Sequence, residues 1–200
     1  MLIEKANQTD QLKILNLEGR IFHDMEIKLL DEFQLLEAYY LASQEDRHTR
    51  YHFSKALVAR DNQKVVGVLF GYPGKDEFTF DHTLQKILAK KYKQNRIVFP
   101  DRESFDNEWY IDSISVAEDF RGLGIGTELL KAARKTAIQE GELLLGLNVD
   151  FRNTRALKLY RSFGFRIISD LMISEHKYHH MQFQLTQILL WHRVILIFSR

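Results

Sequence analysis

The chain is predicted to fold as a mixed α/β (α+β) domain built around one twisted sheet. Three observations point there. Apolar runs of strand length alternate with amphipathic stretches at helical spacing. Prolines stand only at Pro73 and Pro100, so hard breaks are few. A glycine-rich segment, Arg121-Gly122-Leu123-Gly124-Ile125-Gly126-Thr127, sits where a strand pattern hands over to a helix pattern. The 200 residues suffice for one sizeable core and are few for two, so residues 1–200 read as a single domain.

In chain order, the first quarter reads helical. Leu29, Phe33, Leu36 and Tyr40 fall at helical spacing and are expected to line one buried face. Ala56-Leu57-Val58-Ala59 and Val65-Val66-Gly67-Val68-Leu69-Phe70 read as strands joined by a hairpin loop at Asp61-Asn62-Gln63-Lys64. Tyr72-Pro73-Gly74 carries turn chemistry, with proline pre-setting φ and glycine accepting a positive one. Phe80 to Tyr92 reads as a helix with Leu84, Ile87 and Leu88 on its apolar side, and Pro100 to Asn107 as a polar loop. Glu108 to Val116 is a strand, and Gly124 to Ile138 a helix with Ile125, Leu129, Ala133 and Ala137 inward. A strand at Leu143 to Val149 precedes a helix at Asn153 to Phe163, which Gly164 ends in a left-handed conformation. Phe165 to Ser169 and His179 to Leu185 complete the strands, the latter with His179, Met181, Phe183 and Leu185 on one face.

Lys+Arg total 28 and Asp+Glu 27, a net charge of +1 that gives no chain-wide attraction to nucleic acid or anionic lipid. Any anion site must be local. There are no cysteines, which excludes disulfides, thiolate metal sites and a cysteine-linked covalent route. The start, Met1-Leu2-Ile3-Glu4-Lys5, lacks the pattern of a secretory signal, and Ile188 to Phe198 is too short and too interrupted to span a bilayer. A cytoplasmic location is the expectation.

The glycine segment is the most informative stretch. The first turn of a helix offers N–H groups without internal partners and the positive end of the dipole. Glycine lets an anion approach them closely, so a cradle for phosphate or pyrophosphate is expected. A tight strand-to-helix turn would use the same glycines.

Here a resemblance becomes specific. Arg121-Gly122-Leu123-Gly124-Ile125-Gly126 is similar to the Arg/Gln-x-x-Gly-x-Gly/Ala signature of the GNAT acetyltransferases. Asn153, Ala156, Tyr160, Gly164 and Phe165 resemble that family's second pattern, Asn-x-x-Ala-x-x-x-Tyr-x-x-x-Gly-Phe. The two patterns stand in the family's order and cover residues 108–166. The resemblance implies a GNAT-like domain: a central mixed sheet of about six to seven strands flanked by helices, splayed between the fourth and fifth strands. It implies acetyl-CoA as acetyl donor, with no metal. The pyrophosphate would lie on Arg121, Gly122, Leu123, Gly124, Ile125, Gly126 and Thr127, and the pantetheine arm would pair with the backbone at Ile114, Ser115 and Val116 as an added strand. Asn153 resembles the side chain that steadies the cofactor near its reacting end, and Tyr160 the residue near the thioester sulfur. The acceptor pocket is implied in parts of Thr9 to Arg50 and Gly71 to Asn107, and a homodimer fits the family.

The implied reaction moves an acetyl group to a primary amine of a small molecule or peptide by direct attack. An ordinary amine is protonated at neutral pH, with a pKa of ~10.4, so a group must accept its proton. Asp112 is the first candidate, placed by alternation on the strand face of Tyr110, Ile114 and Val116. Glu108, at the mouth of the same strand, is the second. Proton transfer from tyrosine to the leaving thiolate is uphill by about 2 kcal/mol, so Tyr160 would act mainly as a hydrogen-bond donor.

Each residue has a second reading. Arg121 could be a solvated charge, Asn153 only a helix N-cap, Tyr160 a core aromatic, Asp112 a structural ion pair and Glu108 a solvated carboxylate. Asp101, Glu103, Asp106 and Glu108 read first as a solvated acidic loop and second as an attractor for a cationic acceptor. His176, His179 and His180 invite a metal, but His179 and His180 must point to opposite faces of a strand. Residues Gln187 to Arg200 form an apolar tail beyond the resemblance, suited to packing on the sheet or to a dimer contact. Two other functions compete. One is a catalytically silent acyl-CoA sensor or regulatory module of the same fold. The other is a nucleotide-dependent oxidoreductase, disfavoured because the spacing here is Gly-x-Gly-x-Gly.

Overall fold

Strands and helices follow one another much as the periodicity requires, with one addition at the start. The computed structural model describes residues 1–24 and 31–185. Its strands are β1 (Leu2–Lys5), β2 (Ala56–Asp61), β3 (Lys64–Pro73), β4 (Trp109–Val116), β5 (Leu144–Asp150), β6 (Arg166–Ile173) and β7 (His176–Gln184). Its α-helices are α1 (Gln11–Asp24), α2 (Glu32–Glu45), α3 (His82–Tyr92), α4 (Ile125–Gln139) and α5 (Thr154–Phe163). The addition is β1, an edge strand paired antiparallel to β2 where the sequence reads as helical. Four residues are too few to display a period of two against one of 3.6.

The strands form one mixed sheet in the order β1-β2-β3-β4-β5-β7-β6. All neighbours are antiparallel except β4 and β5. The β2–β3 turn is Asn62-Gln63, both at positive φ, as a tight two-residue hairpin needs. Alternation along β2 sends Ala56 and Val58 to one face and Leu57 and Ala59 to the other. The first face is covered by α1, α2 and α3. The second carries α4, through Ile125, Leu129, Ala133 and Ala137, and α5. Helices on both faces of a mixed sheet are the architecture the sequence predicts.

Two expectations change, and a third falls outside the described residues. On α2 the buried stripe is Leu35, Ala38, Tyr39 and Ala42, while Phe33 is 76% exposed, Tyr40 exposed and Leu36 half-buried; Leu29 lies outside the described residues. The doublets Leu35-Leu36 and Tyr39-Tyr40 suit two phases one residue apart, and packing selected the other one. Gly74 does not take a positive φ. It is needed because a Cβ there would lie 2.0 Å from the Phe105 carbonyl oxygen. The tail Gln187 to Arg200 lies outside the described residues.

Candidate active site

The site begins as a fault in the sheet. β4 and β5 pair at only three positions, Trp109↔Leu145, Tyr110↔Gly146 and Ile111↔Leu147. Beyond them β5 continues beside β7 and β4 beside β3. The backbone edges of Asp112–Val116 and Asn148–Asp150 therefore face each other unpaired across a wedge. Buried backbone N–H and C=O groups call for partners, so this wedge suits a ligand that can supply them.

A bulge sets the wedge's chemistry. Phe70 pairs with Ser113 and Gly71 with Ile111, leaving Asp112 as an extra residue on β4. This overturns the expected alternation. Ile114 and Val116 pack with Trp109 and Ile111 on the α4 side. Ser115 turns to α1, where its Oγ donates to the Leu17 carbonyl (2.7 Å).

The closed end of the wedge is pinned by Glu108, which is wholly buried instead of standing at a solvated mouth. Its Oε2 accepts from Gln182 Nε2 (2.8 Å) and meets His180 Nε2 at 3.0 Å, and its Oε1 accepts from the Phe105 N–H (3.0 Å). His180 Nδ1 meets Asn148 Oδ1 at 2.7 Å. His180 thus links Glu108, at the entry to β4, with Asn148 of β5. The carboxyl lies directly over Gly146, where a Cβ would come within 2.0 Å of it. Glu108 thus ties β4 to β7 across β5 and does not border the cavity, which removes the expected geometry for a proton acceptor. His179 turns the other way, stacking on Phe151 and bonding Asp170 (2.7 Å).

A cavity of about 970 Å³ fills the wedge and runs on to the start of α4. Of the residues singled out from the sequence, Asp112, Ile114, Ser115, Val116, Arg121 and Gly122 border it, as do Gly124, Ile125, Gly126, Thr127, Asn153 and Tyr160. Leu123 does not; its side chain is 67% exposed. Gly122 and Gly124 both have φ of 81°, a conformation that costs other residues strain. The first bond within α4 runs from the Glu128 N–H to the Gly124 carbonyl, so the amides of Ile125, Gly126 and Thr127 precede the helix's own ladder. No side chain caps this end. Arg121 Nε donates to the Val116 carbonyl (3.1 Å), tying the turn to β4.

On the opposite wall, Asn153 caps α5 by accepting from the Ala156 N–H (3.0 Å), and it borders the cavity. Tyr160 packs edge-on against Phe165, and burial pushes its hydroxyl up to about 12. Full proton transfer to a thiolate would therefore be harder than for an ordinary tyrosine, whereas hydrogen-bond donation remains available.

The inner end holds what the sequence did not announce. Arg50, 4% exposed, enters from the segment before β2. Its Nη1 donates to Asp112 Oδ1 (2.7 Å) and to the Tyr72 hydroxyl (3.1 Å), and its Nη2 to Glu77 Oε1 (3.2 Å). Asp81 lies 3.5 Å from its Nε and Glu103 3.6 Å from its Nη1. Asp112 Oδ1 also accepts from the Tyr72 hydroxyl (2.7 Å). The residue expected to take a proton is thus an ion-paired carboxylate, with one oxygen already accepting from two donors. The acidic stretch Asp101 to Glu108 is likewise not a solvated loop throughout, because Glu103 and Glu108 are buried. Phe105 among those acids, with Phe99 just before them, was the local sign. Arg50 had none, since its side-chain partners lie 22 to 62 residues away.

The acetyltransferase (GNAT) family profile matches residues 21–165. The chain belongs to the acetyltransferase (GNAT) family. A crystal structure of an acetyltransferase is 37% identical, covering 93% of this chain and 100% of its own, with a TM-score of 0.78. An N-acetyltransferase from Staphylococcus aureus Mu50 is 29% identical, covering 92% and 100%, with a TM-score of 0.82. The yncA protein from Salmonella typhimurium, solved with its cofactor acetyl-CoA, shares the fold at 18% identity and a TM-score of 0.58, covering 95% and 96%. A GNAT fold with these relatives makes the chain an acyltransferase. Among the described residues no helix is long and apolar enough to cross a membrane.

Proposed function

We propose that this protein transfers an acetyl group from acetyl-CoA to the primary amine of a small molecule or peptide by direct attack. The observation that carries this reading is the wedge between β4 and β5, which runs from an uncapped helix start flanked by left-handed glycines to the Tyr160 hydroxyl. The diphosphate would sit against the amides of Ile125, Gly126 and Thr127, where glycines keep the approach open. The pantetheine arm would take up the backbone groups of Ile114 to Val116 as a strand does. Tyr160 would donate a hydrogen bond to sulfur as the C–S bond breaks. Asp112, already neutralised by Arg50, would hold the inner end of the cavity in place.

The test has two readouts. Calorimetry should show CoA binding, and a thiol-release assay with acetyl-CoA should find an acceptor among spermidine, tyramine, kanamycin and short peptides with free α- or ε-amines. Tyr160→Phe should lower kcat roughly 10- to 100-fold, the worth of one hydrogen bond to a developing anion, with CoA affinity retained. CoA binding without turnover on any amine would favour the regulatory module, and absence of CoA binding would end the reading altogether.

A further inference from the structure

Three carboxylates border the cavity: Glu103, Asp112 and Asp150. Two are committed. Asp112 is paired to Arg50 at 2.7 Å and also accepts from Tyr72. Asp150 accepts from Arg152 Nη2 (2.8 Å), and that bond holds its carboxyl below the usual range. Glu103 differs. Its Oε2 accepts from the Tyr110 hydroxyl (3.1 Å), while Oε1 is buried and carries no hydrogen bond among the described residues. The nearest cation, Arg50 Nη1, lies 3.6 Å from that oxygen and is already donating to Asp112 and Tyr72.

The mounting of Glu103 is rigid. Asn148 of β5 donates from one Nδ2 to the Glu103 carbonyl (2.9 Å) and to the Tyr110 hydroxyl (3.0 Å), and its orientation is locked by His180. The groups facing the carboxyl come from every side: Arg50 before β2, Glu77 after β3, Tyr110 and Asp112 on β4, and Tyr178 on β7. One guanidinium cannot neutralise this many acids. Burial first, then the charges of Asp112 and Glu77, raise the Glu103 carboxyl to about 7 against the pull of Arg50. A base poised near the working pH is the efficient one.

We infer that Glu103 is the catalytic group that receives the proton of the acceptor amine; this rests on the acetyl-transfer reading above. The ammonium R–NH3⁺ gives one proton to the Glu103 carboxylate. The freed nitrogen lone pair attacks the thioester carbonyl and the N–C bond forms. Collapse breaks the C–S bond, and sulfur leaves with the electron pair. The second proton, on nitrogen after attack, ends on that thiolate, and Glu103 returns the first to solvent. One proton is released for each amide and free thiol made.

Two measurements test the role. The first uses acetyl-CoA with whichever panel amine releases thiol fastest. Glu103→Gln should lower kcat/KM at pH 7 by about 10²- to 10⁴-fold and erase the ionisation near neutrality from the pH profile. The loss should shrink toward pH ~10, where the amine sheds its own proton. Glu103→Asp should recover part of the rate, and CoA affinity should be unchanged in both variants. A wild-type profile in Glu103→Gln, a loss constant at every pH, or the same ionisation vanishing in Asp112→Asn instead would overturn the assignment. The second measurement needs no acceptor and no stable variant beyond the one used for assignment. Carboxyl ¹³C NMR of the glutamate-labelled, CoA-treated protein should show Glu103 titrating between about pH 6 and 8, with Glu103→Gln or Glu103→Asp identifying the signal. A Glu103 signal that stays ionised down to about pH 5 overturns the role even if every amine fails and the parent reading falls with them.

Discussion

The two ends of the cavity are built on opposite principles. At the α4 end, the parts are backbone amides, two left-handed glycines and one arginine tying the turn to β4, all within a dozen consecutive residues. At the inner end, the parts are side-chain charges: one guanidinium among Asp112, Glu77, Asp81 and Glu103, gathered from segments spread over more than sixty residues. The first end presents dipoles that are there whatever the pH. The second holds more acid than base, so its state depends on where protons reside. A contiguous stretch can be read from sequence; an assembly of distant charges cannot.

Removing Arg50 should expose the contrast most sharply. Arg50→Met leaves its carboxylates buried without their cation, and unfolding by denaturant should show a loss of about 3–5 kcal/mol at neutral pH. Part of that loss should return as the pH falls and the acids protonate. A variant as stable as the parent would mean that the cluster is already largely protonated.

Glu18, on α1 behind β4, sharpens the same point. Both its oxygens are buried, and the Ser113 side chain beside them only partly offsets the cost. Burial raises its carboxyl to about 8, with Asp112 adding to the shift. The folded protein therefore holds a proton there that the unfolded chain releases near pH 4.5. Stability is full below that value and declines as the pH climbs toward 8, by about 4–5 kcal/mol. Glu18→Gln should flatten this slope in denaturation midpoints taken across the window. A parent protein with no decline would break the argument.

The smallest effect on stability belongs to the glycine end. An added methyl at Gly124 meets nothing within 4 Å, so Gly124→Ala should cost only backbone strain, about 1 kcal/mol. CoA affinity should fall more than stability suggests, by about tenfold, or 1.4 kcal/mol, because the methyl would stand in the cradle. An unchanged affinity by calorimetry would remove the diphosphate from this corner.

Most of the sheet and the α4–β5–α5 unit was legible because each piece is local. Ile125, Leu129, Ala133 and Ala137 keep one helical phase, Asn153 and Gly164 mark both ends of α5, and the Arg121–Thr127 turn announces itself. The exceptions share a cause. The bulge at Asp112 depends on pairing with Phe70 and Gly71, the burial of Glu108 on a glycine in another strand, and the Arg50 cluster on four separate segments. Nothing within a short window of Asp112 says that the strand has a surplus residue there, so alternation counted through it placed Ile114 and Val116 on the wrong face.

The parted edges of β4 and β5 have a consequence for the molecule as a whole. The sheet is continuous on either side of the wedge and joined across it by only three residue pairs. A ligand that bonds to both margins acts as mortar between two halves of the protein. Occupancy should then slow amide exchange along Asp112–Val116 and raise the melting temperature with the logarithm of ligand concentration. A cell rich in the donor would thereby keep this enzyme longer-lived, its durability tied to the supply it consumes.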